Sequence, residues 1–185
     1  MKIVVMRHAK VQIENRKIYA NELKSVVEEY DQASIEEQIE NHEELQKVAD
    51  EVVFFVSSGL RRSLDSLALL DKKADHIDGL FAEVESPYTQ RKIMKLPIYT
   101  WGFWFKLVWS LGYSGGSRSY KESKADALEA SIKLERFAKE HASVLLLGHG
   151  LKNMLIVKAL KRRGWQEKQK MSLKNWGYGV YEKEL

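Results

Sequence analysis

Apolar residues in this chain fall into a few compact runs, separated by longer stretches where they recur every three or four positions. Ile3–Met6, Glu51–Val56 and Ala142–Leu147 are runs dense in Val, Ile, Leu and Phe, the pattern of short strands buried on both faces. Residues 76–82, His76-Ile-Asp-Gly-Leu-Phe-Ala82, read as a further strand. Between the runs the spacing is helical. A helix over 22–31, capped by Asn21, would place Leu23, Val26, Val27 and Tyr30 on one face. Residues 34–50 read as one or two solvated helices through Ile35, Ile39, Leu45, Val48 and Ala49, with His42 a solvated side chain among carboxylates. Further helices follow Arg61-Arg62 through Leu64, Leu67, Ala68 and Leu70, span 120–140 through Ala125, Leu128, Ile132, Leu134 or Glu135, Phe137 and Ala138, and run from Leu151 to Arg162. The tail from Asn175 to Lys183 alternates at Tyr178 and Val180 and reads as an edge strand.

Strands that alternate with helices imply a mainly parallel sheet with right-handed crossovers. The expected fold is therefore α/β, a three-layer sandwich with a central sheet and helices on both faces. One domain, 1–185, would carry an aromatic insertion or cap at about 88–116. Three of the five tryptophans lie in 93–113. Pro97, Gly102 and Lys106 interrupt that stretch, so it falls short of the roughly 20 apolar residues a membrane span needs, and no stable membrane insertion is expected. Three readings remain for it. It is an amphipathic helix packed on the core, with Trp101, Trp104, Phe105 and Val108 on the shared face; a hydrophobic cap over a pocket; or a helix lying on a membrane surface.

Composition narrows the chemistry. Hydrophobic residues at 44% and charged residues at 30% describe a globular chain able to bury a core. Thirty Lys and Arg against 26 Asp and Glu give +4, too little and too scattered to argue for nucleic acid. Lys161-Arg-Arg163 and the cluster from Lys168 to Lys174 are better read as a solvated basic helix end. With no cysteine, disulfides, thiolate catalysis and cysteine-ligated metals are excluded. The apolar run at the N-terminus is too short for a signal peptide, so a cytoplasmic protein is expected.

Three strand-to-helix turns carry cations or imidazoles: Arg7-His8, Arg61-Arg62 within Ser57-Ser-Gly-Leu-Arg-Arg-Ser63, and His149 between Gly148 and Gly150. In a parallel sheet all three fall on one edge, where open α/β folds bind ligands. Small-residue turns leave backbone N–H groups free for an anion. Cations in the first turn of a helix oppose its dipole, so Arg61 and Arg62 need an anionic partner or solvent and divide those roles. Two arginines and two histidines suit a tetrahedral dianion such as a phosphoryl group better than a metal.

In these motifs the chain resembles the histidine phosphatase superfamily, the phosphoglycerate-mutase-like proteins. Arg7-His8-Ala9 stands for the family's Arg-His-Gly, Ser57–Ser63 for its Ser-Pro-Leu-x-Arg-Ala turn, and Leu147-Gly-His-Gly150 with Asn153 for its second histidine. The resemblance implies that His8 takes up a phosphoryl group and that Arg7, Arg62 and His149 clamp its oxygens. It also implies a carboxylate after the third strand as general acid, with Glu83 the first choice and Glu85 the second. The implied activity is a phosphatase that hydrolyses phosphomonoesters through phospho-His8, on a small phosphorylated substrate, with no cofactor or metal. Ala9 and Gly59 replace the family's glycine and proline. The Trp-Asn expected after the histidine of the mutases is missing, which counts against a phosphoglycerate-mutase-type phosphotransferase. A non-catalytic phosphate- or partner-binding protein is the rival reading. Natural substrate and oligomeric state stay open.

Overall fold

The computed structural model describes residues 1–184. Eight strands and six α-helices form among them, numbered here in chain order. The strands are β1 (Lys2–Arg7), β2 (Lys17–Ile18), β3 (Phe54–Ser57), β4 (His76–Ile77), β5 (Leu96–Pro97), β6 (Ser143–Gly148), β7 (Gln166–Gln169) and β8 (Tyr178–Glu182). The helices are α1 (Leu23–Gln32), α2 (His42–Asp50), α3 (Arg61–Ala68), α4 (Ile98–Ser110), α5 (Tyr120–His141) and α6 (Gly150–Arg162).

Six strands make one sheet in the order β4-β3-β6-β1-β8-β7, with β4, β3, β6 and β1 parallel and β8 antiparallel to both β1 and β7. Strand side chains alternate between faces, and here each face meets helices. Ile3, Val5, Val144 and Leu146 join α5 and α6 in one core through Ala130, Leu134, Ile156 and Leu160. Val4, Met6, Leu145 and Leu147 pack on the other side against Leu45, Ala49 and Leu67 of α2 and α3. Burial on both faces explains why these strands read as unbroken apolar runs. The α/β sandwich expected from the alternation is the fold observed.

A smaller apolar cluster stands apart. Ile18, Leu23, Val26, Ile98, Trp101 and Phe105 pack together where α1 and α4 meet the two-stranded ribbon β2-β5.

Several elements differ from the sequence reading. The stretch 76–82 is strand only at His76–Ile77, because the Asp78 side chain accepts from the Leu80 N–H at 2.8 Å and turns Gly79–Phe81 into a 3₁₀ turn. Asn21 caps nothing; it lies inside a 3₁₀ turn over Ala20–Glu22, where the Glu22 carboxylate accepts from the Tyr19 N–H. Only His42–Asp50 of the 34–50 stretch is helical, since Ile35 is drawn into a bridge with Val11 and Asn41 takes a left-handed φ of 61°. On α5, Leu134 is buried as its spacing predicts, but Leu128 and Ile132 face solvent and Ala127 and Ala130 are buried in their place. The tail strand is not an edge: β8 lies between β1 and β7, and β7 is the edge. Gln166–Gln169 is exposed throughout, so no apolar alternation announced it. On α4 the buried residues are Ile98, Trp101, Phe105 and Trp109, while Trp104 is 48% exposed, so the face expected to hold Trp104 is rotated.

Candidate active site

Register brings the three turns together. Arg7 pairs with Gly148 across β1 and β6, and Ser57 pairs with Leu147 across β3 and β6. The residues just beyond, His8, Ser58 and His149, therefore emerge side by side at the carboxyl edge of the sheet. The His8 and His149 rings lie with centroids 5.2 Å apart.

His8 is buried, and its orientation is set by its own backbone. Nδ1 lies 2.6 Å from the Ala9 carbonyl, which makes it the protonated nitrogen. The Nε2 lone pair is then free, with no hydrogen-bond partner among the described residues, and the ring reaches a cavity of about 410 Å³. Burial first, then His149 and the Arg62 and Arg7 guanidinium groups, hold its pKa down at about 3. The imidazole is thus neutral around pH 7. Asn175 fixes the segment by donating to the His8 and Ala9 carbonyls at 3.0 and 3.1 Å. Ala9 is fully buried with negative φ, and its N–H donates to Ser66 Oγ at 2.9 Å, so the methyl that replaces a hydrogen there causes no backbone strain.

His149 is fully buried, and burial followed by Arg62 and Arg7 puts its pKa well below the usual histidine range. Nδ1 accepts from Arg62 Nε at 3.3 Å, which leaves the proton on Nε2, 2.7 Å from Ser58 Oγ and 3.2 Å from Ser63 Oγ. In this arrangement His149 holds Arg62 in place. A Cβ at Gly148 would run into Oδ1 of buried Asn153, so any larger residue there must displace that side chain, whose Nδ2 donates to the Met6 carbonyl at 2.9 Å.

Arg62, 3% exposed, is a buried ion whose charge partner, Asp31, lies at the rim with its side chain 34% exposed. It pairs with Asp31 at the end of α1 and stacks 5.0 Å over the Tyr30 ring. Arg61 points away, to Asp65 and the Gln32 carbonyl, so the two arginines divide their roles as the dipole argument required. The Ser57–Ser63 turn is possible because Gly59 takes φ +82°, which proline cannot adopt. Arg7 donates from one terminal nitrogen to the Leu173 carbonyl, while its buried Nε has no partner among the described residues, a donor left for an anion.

Glu83, in the loop that follows the Gly79–Phe81 turn, lines the same cavity beside the opening turn of α6. Its carboxylate accepts from the Lys152 N–H at 3.0 Å and the Leu151 N–H at 3.4 Å, taking up amides the helix leaves unpaired. Glu85 also lines the cavity but is exposed and accepts from the Arg118 N–H at 3.3 Å. Arg7, His8, Arg62 and Glu83 therefore border one space, with His149 behind them. Opposite chemistry fills the remaining wall: Val26, Val27, Ile98, Tyr99 and Phe103 from α1 and α4. Sequence reasoning gave no role to Asp31, Ser58 or Asn175. Nothing local marks them, because each acts on a residue more than twenty positions away.

No family model matches this chain, and no curated protein matches it in sequence. Solved structures match its shape. The product of the Rv3214 open reading frame of Mycobacterium tuberculosis aligns over 99% of this chain and 91% of its own, with TM-score 0.64 and 15% identity. A mycobacterial glucosyl-3-phosphoglycerate phosphatase covers 97% of this chain and 88% of its own, with TM-score 0.55 and 15% identity. A phosphoserine phosphatase mutant from Entamoeba histolytica, in complex with phosphoserine, covers 97% and 89%, with TM-score 0.57 and 12% identity. The chain has the fold of the histidine phosphatase superfamily, the phosphoglycerate-mutase-like proteins.

Proposed function

We propose that the protein is a phosphomonoesterase that works through a phosphohistidine on His8. The observation that supports this reading most is the state of His8: a neutral ring, Nδ1–H bound to the Ala9 carbonyl, and a free Nε2 beside Arg7 and Arg62. In the first step Nε2 attacks phosphorus in line. The bond to the leaving oxygen breaks, its electron pair stays on that oxygen, and the Glu83 carboxyl supplies the proton. Phosphorylation at Nε2 makes the ring cationic, and the Ala9 carbonyl stabilises the remaining N–H. Arg7 and Arg62 spread the charge of the transferring oxygens. In the second step water attacks phosphorus and gives its proton to the Glu83 carboxylate. The N–P bond breaks, and its electron pair returns to Nε2.

Glu83 is better placed than Glu85 to exchange the proton because three backbone N–H groups, of Val84, Leu151 and Lys152, hold its carboxylate at the cavity. His149 supports the clamp by holding Arg62. The substrate is a small phosphorylated molecule, and the reading places the protein in the cytoplasm as one domain with α4 as a cap.

Release of phosphate from a generic aryl phosphate is the test. Wild-type protein should turn over and accumulate a base-stable, acid-labile phosphoenzyme, and His8→Ala should lose at least about 10³-fold in rate. Equal, slow release by both would leave a phosphate-binding protein without catalysis. Glu83→Gln should lower kcat by about 10²-fold with phosphate binding retained. The same loss in Glu85→Gln instead would move the acid to that position.

A further inference from the structure

Helix α4 is apolar on both sides, although only one side is packed. Ile98, Trp101, Phe105 and Trp109 face the protein. Tyr99, Phe103, Trp104, Leu107 and Leu111 recur at helical spacing on the other side, with Phe103 62% and Leu111 80% exposed. Ile93, Met94 and Tyr113 extend the exposed apolar area at its flanks. A contiguous patch of this kind is uncommon on a free surface and marks a contact.

Charge indicates what the contact is. From Ser86 to Lys121 the chain contains no Asp or Glu, while Arg91, Lys92, Lys95, Lys106, Arg118 and Lys121 fall within it. Arg118 pairs with Asp126, but Arg91, Lys92, Lys95 and Lys106 form no ion pair among the described residues. Lys92 and Lys95 rest over the Tyr19 ring, 4.4 and 4.9 Å from its centre. Arg91 and Ile93 line a depression of about 700 Å³ with Trp104, and Lys106 lies beside Phe103. Of the nearby acids, Glu28 borders a separate hollow that also holds Lys24, while Glu85 borders both that hollow and the cavity beside Lys106, where its carboxylate accepts from the Arg118 N–H. A second copy would bring like charges face to face, which disfavours self-association. Tryptophan and phenylalanine with flanking lysines on a helix too short to span is the composition of an interfacial helix. No helix of the described residues is long and apolar enough to cross a membrane.

We infer that the outer face of α4 docks the protein reversibly on an anionic lipid surface, with its aromatic side chains in the headgroup layer and the lysines against lipid phosphates. Tyr99, Phe103 and Lys106 also line the cavity that His8 reaches, so docking sets the mouth of that cavity at the interface. If the phosphatase reading holds, a phosphomonoester with an apolar tail would reach His8 from there.

Co-sedimentation with vesicles tests the docking without any assay of turnover. The full chain should sediment with phosphatidylglycerol vesicles and not with phosphatidylcholine alone, and 0.5 M salt, which shortens the Debye length to about 4 Å, should release it. Lys92→Gln/Lys95→Gln should weaken binding by about fivefold per cation removed. Trp104→Ser/Leu107→Ser/Leu111→Ser should abolish it with the thermal unfolding midpoint within a few degrees of wild type. No binding to either vesicle overturns the proposal. Binding that survives both sets of substitutions places the contact elsewhere and overturns it too. A wild-type dimer in solution that the Trp104 variant dissociates would assign the patch to a second copy instead.

Discussion

The wall of the cavity that holds Arg7, His8, Arg62 and Glu83 and the wall formed by Val27, Ile98, Tyr99 and Phe103 are kept in place by different forces. On the first wall three side chains are oriented by hydrogen bonds: His8 to Ala9, Arg62 to His149 and Asp31, Glu83 to the amides of Leu151 and Lys152. Buried polar groups tolerate few arrangements, since an unpaired one costs about 1–3 kcal/mol. The second wall depends on non-directional packing of α1 against α4, in a cluster separate from the two sheet cores, and its outer residues are left in solvent. A rigid charged wall suits a fixed chemical step. An apolar wall built separately is free to vary with what surrounds the phosphate.

Substitutions on the two walls should therefore differ in kind. The largest effect is expected at Arg62. Arg62→Ala should lower kcat/KM for an aryl phosphate by about 10²–10³-fold, and Asp31→Asn, which leaves the guanidinium but loosens its hold, by about tenfold. Equal effects from the two would mean that the ion pair, not the guanidinium, is what matters.

A second difference should appear in the pH dependence of stability. An unfolded histidine titrates near 6.5, whereas folded His8 stays neutral down to about 3 and His149 also lies well below its usual value. Between these limits the unfolded chain binds more protons, so stability is full above about pH 6.5 and falls as the pH is lowered. The unfolding midpoint should drop between about pH 6.5 and 4.5, before most carboxylates titrate, and His8→Gln should make that drop shallower. Parallel curves for the two proteins would contradict the burial of a neutral imidazole. By the same reasoning, the acid limb of activity should not be set by His8 above about pH 4.

The smallest effect belongs to the apolar wall. Val27→Ser, at a position 36% exposed that lines the cavity, should raise KM for an aryl phosphate by about two- to fivefold and leave kcat nearly unchanged. A fall in kcat comparable to that of Arg62→Ala would erase the distinction between the walls.

Local signals carried far in this molecule. Strands buried on both faces are apolar along their length, so β1, β3 and β6 could be read from Ile3–Met6, Glu51–Val56 and Ala142–Leu147, although β3 begins only at Phe54 and Val53 is exposed. Since parallel strands end on one edge, the sequence alone places Arg7-His8, the Ser57–Ser63 turn and Gly148–Gly150 together. Strand β7 was not legible, because Gln166–Gln169 has no buried face and owes its conformation to pairing with β8. The 3₁₀ turn at Gly79–Phe81 was hidden for a related reason: the residues that look strand-like there are bent by one Asp78 side chain.

The sequence by itself determined the class of fold and the chemical character of the sheet edge, because both follow from periodicity and from residue types adjacent in the chain. The tertiary structure decided which nitrogen of His8 is free, that Asp31 and Tyr30 hold Arg62, that Glu83 is anchored on α6, and which side of α4 faces solvent. Those properties are orientations and partnerships between residues far apart in sequence. Each is set by where a hydrogen bond or an apolar contact costs least in three dimensions, and no one-dimensional pattern encodes that.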